Sequence, residues 1–273
     1  MIDGLKVFDA HMHNLGIFKK KDENLIQYLD RYGIDKAILS PVDEAINPRL
    51  KLILDQNISE EDITNQFLSK KQLDHENLRQ LIAKNNDRLI GFYWFNPRNA
   101  NDEDWKLLTK YVKHYNFKGV KTQANIDLLR LPEDFNKLSE FCVNYDLPLY
   151  YHSGYAFFFQ KNYQINDIYN LVRENKDLKL IIGHAAYSME YCISLLRYFP
   201  KCTNVFFETS TSVPYGIKLL IKTMGSNRVI YGSDAPAATT PDIEIQKIKI
   251  LDLDKKTLEN IFYNNIKNLI GDN

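Results

Sequence analysis

Apolar and polar positions alternate on two length scales along the chain. Short runs rich in β-branched and aromatic residues stand at 6–11 (KVFDAH), 36–40 (KAILS), 89–95 (LIGFYWF), 118–123 (KGVKTQ), 147–152 (LPLYYH), 178–184 (LKLIIGH), 204–210 (NVFFETS) and 228–234 (RVIYGSD). Most are apolar almost throughout, as expected of strands buried on both faces of a parallel sheet. Between them lie longer stretches with helical spacing. Residues 23–33 end in Gly33, a helix stop. Residues 102–115 put Trp105, Leu108 and Val112 on one face. Pro132 is expected to open a helix over 132–145. Further helices are predicted over 167–175, 189–199, 214–224, 242–251 and 255–270, the last packing the end of the chain. Strand and helix repeated eight times predict an α/β fold, a single (β/α)8 barrel over 1–273. An open doubly wound sheet carries a Gly-rich phosphate turn after its first strand, and here that place reads DAHMHNLG. Residues 41–75 interrupt the alternation as a polar insertion between the second and third strands. They form either a wall of the catalytic end or a helical dimer contact.

Composition narrows the partners. The 273 residues carry 35 Lys+Arg against 35 Asp+Glu, and this zero balance disfavours nucleic acid. The length suits a barrel of about 250 residues. No apolar run approaches the roughly 18 residues of a membrane span, and no basic-then-apolar leader opens the chain. Cys142, Cys192 and Cys202 form no CxxC pair, so a reduced, cytoplasmic protein is expected.

Four of the six histidines fall at the C-terminal ends of predicted strands. His11 and His13 close the first. Two residues apart in a strand, they point to one face and can reach one metal. His152 ends the fifth strand, His184 the sixth, and Asp234 the eighth. Any one alone would read as a polar group bonded to nearby backbone. Five metal-capable residues on the catalytic face of one barrel read as a site. Imidazole and carboxylate suit a borderline divalent ion such as Zn2+. A carboxylate beside such an ion can also take a proton from attacking water, whose pKa the ion lowers towards about 7.

The order H-x-H after strand one, His after strands five and six, and G-S-D-x-P after strand eight resembles the amidohydrolase superfamily, in particular its amidohydrolase-related branch (amidohydrolase family 2). FNP (95–97) and GVK (119–121) are similar too, and the resemblance runs from Val7 to about Pro236. It implies metal-dependent hydrolysis. It makes His11, His13, His152 and Asp234 the metal ligands, with Asp234 also the catalytic base. His184 becomes the catalytic imidazole or a ligand to a second metal. The implied ion is Zn2+, with Mn2+ the alternative. Lys121 stands near the place where some relatives carry a carboxylated, metal-bridging lysine; a substrate-binding or structural role is the other reading. Decarboxylases of the branch continue the sixth-strand motif with Gly-Glu after the His. Here it reads GHAAYSME, which counts against decarboxylation.

The expected substrate is a small amide, ester or lactone, carboxylate-bearing if Lys121 or Arg130 faces the pocket. Tyr155 is a further candidate contact, in an aromatic cluster with Phe157, Phe158 and Phe159 that forms a pocket wall, a lid or an oligomer contact. His75 and His114, in polar stretches, are expected at the surface. Cys142 and Cys192 are expected in the core. No Ser or Cys carries a nucleophile signature. Three classes stand at this stage: hydrolase, non-oxidative decarboxylase, and non-catalytic barrel. A homodimer is compatible with each.

Overall fold

The computed structural model describes residues 4–42, 55, 57–59, 61–62, 65, 72–153 and 165–272. Strands β1 (Phe8–His13), β2 (Lys36–Ser40), β3 (Leu89–Trp94), β4 (Phe117–Thr122), β5 (Leu149–His152), β6 (Leu180–Gly183), β7 (Val205–Glu208) and β8 (Val229–Ile230) form one parallel sheet in chain order. The sheet comes round on itself. The Ala10 amide donates to the Tyr231 carbonyl at 3.0 Å and the His13 amide to that of Ala235 at 2.8 Å. The predicted (β/α)8 barrel is therefore what the chain forms. The last strand is shorter than its apolar run, because beyond Ile230 the chain leaves the ladder on its way to Asp234.

Helices connect the strands. The helix Leu25–Arg31 is followed by Gly33 in the left-handed region, at φ +66°. The helix Asp102–His114 starts in a capping box on Asn101. One predicted boundary is corrected. Pro132 lies in a turn over 131–135, and the helix begins at Asn136. The Asp134 carboxylate accepts from the Arg130 amide at 2.7 Å and from its guanidinium at 3.0 Å, which holds the turn ahead of the helix.

Side chains alternate across the sheet. Leu39, Tyr93, Leu149, Tyr151 and Phe207 face the helices, whereas Phe8, Ala10, Ile38, Ile90, Phe92, Tyr150, Ile181 and Ile230 fill the barrel. Ile266, Leu269 and Ile270 close the barrel floor, so the last helix does pack the end of the chain. Full burial of each such side chain contributes roughly 1.5–3 kcal/mol. Towards the strand C-termini the inward positions turn polar, from Tyr150 to His152 and from Phe206 to Glu208. Two glycines make room for this. A Cβ on Gly183 would sit 2.1 Å from the Tyr150 hydroxyl, and one on Gly232 2.2 Å from Glu208 Oε1.

Among the described residues no helix is long and apolar enough to cross a membrane. Most of the 41–75 insertion lies outside the described residues. Its last residue overturns an expectation, because His75 is buried, 2% exposed. Its ring stacks on Tyr93 with centroids 3.7 Å apart. Nε2 accepts the Trp94 amide at 3.0 Å and Nδ1 donates to the Leu73 carbonyl at 2.9 Å. His75 stands one and two helical turns ahead of the buried Leu78 and Ile82, which puts it on their face. His114 is exposed, and Cys142 and Cys192 are buried, as expected.

Candidate metal centre

The polar end of the barrel gathers the strand-terminal residues. His11 and His13 share a face, with ring centroids 5.3 Å apart, although a bulge interrupts β1 between Asp9 and Met12. His152 closes β5. His184 and Asp234, beyond β6 and β8, both adopt left-handed backbone, at φ +54° and +57°. That conformation costs a residue with a Cβ about 1–3 kcal/mol and clusters at working sites. Here it is held by hydrogen bonds: the Asp234 amide donates to the His11 carbonyl at 2.7 Å, and the His184 amide to Glu208 Oε2 at 3.2 Å.

The imidazoles converge on one carboxylate. Asp234 Oδ1 lies 3.1 Å from His13 Nε2 and 3.5 Å from His11 Nε2, and Oδ2 lies 4.0 Å from His184 Nε2. Ligand atoms of His11, His184 and Asp234 all fall within 4.8 Å of one another. His152 stands beside them, its Nδ1 3.2 Å from His184 Nε2 and its Nε2 3.4 Å from the Gln123 amide nitrogen. Lys121 enters from β4. Its Nζ is 2.7 Å from His11 Nε2, 3.5 Å from His13 Nε2 and 3.2 Å from Ser40 Oγ. Six sequence-predicted residues are thus brought together: His11, His13, Lys121, His152, His184 and Asp234.

Arg130 is not among them. Its side chain is 61% exposed and paired with Asp134, so it does not face the cluster. Tyr155 and the aromatic run 157–159 lie outside the described residues.

The donor set fits a divalent cation. Several Nε2 atoms and a carboxylate meet at one point, the ligand chemistry of a borderline ion. A cationic group, the Lys121 amine, already packs against two of those nitrogens. Burial disfavours the charged form of His11, His13 and His152, the form that cannot ligate. It lowers His11 to about 3 and His152 well below the ordinary histidine value. Burial also lowers Lys121, to about 8. For Asp234, burial acts against the charge, but the neighbouring His11, His13 and His184 imidazoles outweigh it and hold the carboxyl well below its usual range. Its side chain is 13% exposed, against 0% for Glu208, so of these two acids Asp234 is the one open to the barrel mouth.

Sequence reasoning missed the layer beneath. Glu208 Oε2 accepts from the Tyr150 hydroxyl at 2.7 Å and from Ser210 Oγ at 2.8 Å, and Oε1 accepts from the Ser210 amide. Burial raises its pKa, yet contact with His11 and the hydrogen bond from Tyr150 prevail and bring it down to about 2. Asp9 Oδ1 accepts from the His11 and Ser233 amides, both at 3.0 Å, which ties β1 to the chain leaving β8. Burial pushes Asp9 up to about 8. Both acids interrupt otherwise apolar strands (VFDA and FFET), the same signal that marked the histidines.

A parallel eight-stranded barrel with imidazoles and a carboxylate at its mouth defines the class of protein, and the comparisons give the family. The amidohydrolase family model matches residues 8–271, and the chain belongs to that family. Among solved structures, 4-oxalomesaconate hydratase from Rhodopseudomonas palustris is similar at TM-score 0.70 and 16% identity, over 97% of this chain and 95% of that one. The 2,6-dihydroxybenzoate decarboxylase from Rhizobium is similar at TM-score 0.67 and 16% identity, over 98% and 99%. The 5-carboxyvanillate decarboxylase from Novosphingobium aromaticivorans, solved with manganese and a nitrobenzoic acid, is similar at TM-score 0.66 and 17% identity, over 98% and 96%. At these identities the likeness is one of fold. No curated protein sequence matches the chain.

Proposed function

We propose that this protein is a metal-dependent hydrolase acting on an amide, ester or lactone of a small, carboxylate-bearing molecule. One observation carries the reading: the partly exposed Asp234 carboxylate faces the Nε2 atoms of His11, His13 and His184 at 3.5, 3.1 and 4.0 Å. His11, His13 and Asp234, with His152 or His184, would hold a divalent ion, Zn2+ or Mn2+. Manganese in the 5-carboxyvanillate decarboxylase structure supports the second. When bound, the ion supplies Lewis acidity that polarises a carbonyl and acidifies water.

The chain's own residues supply the rest. Asp234 accepts the proton of the attacking water and returns it to the leaving group. Ser210 and Thr211 hold the Nδ1 side of His184 at 2.9 and 3.0 Å, so its Nε2 lone pair is turned to the reacting centre, to ligate the ion or, where His152 completes the ligand set, to orient the water. Lys121 brings a positive charge beside the reacting centre and pairs with a substrate carboxylate as a point charge.

The second reading is non-oxidative decarboxylation, supported by the shared fold with two aromatic-acid decarboxylases. The GHAAYSME sequence after β6 speaks against it. The test is to strip the protein with chelator, refill it with Zn2+ or Mn2+, measure bound metal, and assay two panels. Lactones, esters and amides of small acids report hydrolysis, and hydroxybenzoates report CO2 release. Metal-dependent hydrolysis is the expected result. CO2 release without hydrolysis transfers the site to the second reading. Failure to bind either ion overturns both.

A further inference from the structure

Beneath the cluster lies a hydrogen-bond chain whose direction can be read atom by atom. Glu208 is fully buried, and as a carboxylate it only accepts. The Tyr150 hydroxyl donates to Glu208 Oε2 at 2.7 Å and also lies 2.7 Å from His11 Nδ1. Its one proton points at Glu208, so its oxygen must accept from His11, and His11 carries its proton on Nδ1. The Nε2 lone pair is left bare, and Lys121 Nζ donates into it at 2.7 Å. Ser210 repeats the pattern. Its hydroxyl donates to Glu208 Oε2 at 2.8 Å, and its oxygen lies 2.9 Å from His184 Nδ1 and, as a weaker second contact, 3.2 Å from His11 Nδ1. The Ser210 carbonyl, which can only accept, is 3.2 Å from the same Nδ1. His184 therefore also carries its proton on Nδ1 and turns its Nε2 lone pair towards His152 Nδ1 at 3.2 Å and Asp234 at 4.0 Å.

We infer that Glu208 is a positioning residue that, through Tyr150 and Ser210, sets the tautomers of His11 and His184 and raises the basicity of their Nε2 atoms towards the cation. Glu208 touches neither substrate nor the reacting atoms; it acts on the ligand imidazoles from behind. Partners of this kind typically change metal affinity 10–100-fold when removed. The room for the arrangement is built in, since a Cβ on Gly232 would collide with both Glu208 and His11. The inference rests on the proposed cation site, but its first measurement needs no metal.

That measurement is the long-range 15N–1H imidazole spectrum of metal-free protein, assigned with single-histidine variants. His11 and His184 should both be protonated on Nδ1; either one protonated on Nε2 overturns the inference. Glu208→Gln keeps the shape and removes the charge. Its expected effects are an upfield move of both Nδ1 proton resonances and Zn2+ binding weakened about 10–100-fold. A folded Glu208→Gln protein with Zn2+ affinity within about twofold of the parent overturns the relay. Tyr150→Phe removes a single oxygen and should move the His11 resonance while leaving that of His184 in place. Movement of both, or of neither, overturns the two-branched path. A parent protein that binds neither Zn2+ nor Mn2+ but shows both Nδ1 tautomers would refute the proposed function and leave the relay standing.

Discussion

The barrel mouth and the pocket around His75 both bury imidazole, and they differ in what the two ring nitrogens face. At the mouth, His11, His13 and His184 each commit Nδ1 to protein oxygens. His13, for example, donates to the Ser40 and Pro41 carbonyls at 3.1 and 3.2 Å while its Nε2 faces Asp234. His75 commits both nitrogens to backbone and stacks among Tyr93, Tyr111 and Phe117. Burial alone therefore does not mark a site. What marks it is a set of buried nitrogens left with lone pairs that converge on one carboxylate.

The sharpest way to break this contrast is to change the carboxylate. Asp234→Asn removes the base with little change in packing, so turnover should fall about 10²–10⁴-fold while the unfolding transition stays close to that of the parent. Full activity in steady-state assays would remove Asp234 from the chemistry. The same contrast predicts the opposite phenotype for His75→Ala, namely lost stability with kcat of the folded fraction retained. Leaving the Trp94 amide without its acceptor costs about 1–3 kcal/mol before any cavity cost.

His75 also predicts a pH signature. Burial lowers its pKa from 6.5 to about 4. Below about 6.5 the unfolded chain gains a proton that the native protein refuses. The stabilising contribution is thus fully present above pH 6.5 and is lost as pH falls towards 4, in total about 3 kcal/mol. Urea unfolding across this range should show the loss in the parent and a shallower slope in His75→Ala. Equal slopes would mean that His75 titrates freely in the native state.

Lys121 sharpens the mouth side of the comparison. Its amine and a metal ion compete for the same His11 Nε2 lone pair. Lys121→Met should therefore tighten Zn2+ binding, by about tenfold, through loss of a competing charge. Chelator-competition titration checks this. Weaker binding would instead make Lys121 a ligand, as the carboxylated-lysine reading requires.

Most of the site was legible because the barrel imposes one rule: side chains at strand C-termini face the mouth. His11, His13, His152, His184 and Asp234 follow from that rule and from residue type. Glu208 obeys it as well, but a lone acid in FFET has no second ligand at strand spacing to distinguish it from a surface carboxylate. His75 was misread because its polar neighbours in sequence conceal its place on the Leu78–Ile82 face. Pairings such as Tyr150 with Glu208, 58 residues apart, come from closure of the barrel and leave no local pattern.

Arg130 tests the limit of reading by residue type. From the sequence it resembles Lys121: one cation near the end of β4, the other just past it, both suited to a substrate carboxylate. The structure separates them. Lys121 is held inside the barrel against His11, whereas Arg130 turns outward onto Asp134, four residues along the chain. An exposed pair of this kind contributes little, because solvent screens it and two long side chains must be ordered to form it. Arg130→Ala should therefore leave Zn2+ affinity unchanged and both kcat and KM within about twofold of the parent. A rise in KM of tenfold or more, confined to carboxylate-bearing substrates, would show that the 123–131 loop turns over the mouth when substrate binds. Charge, in that case, and not the resting geometry, would have been the better guide.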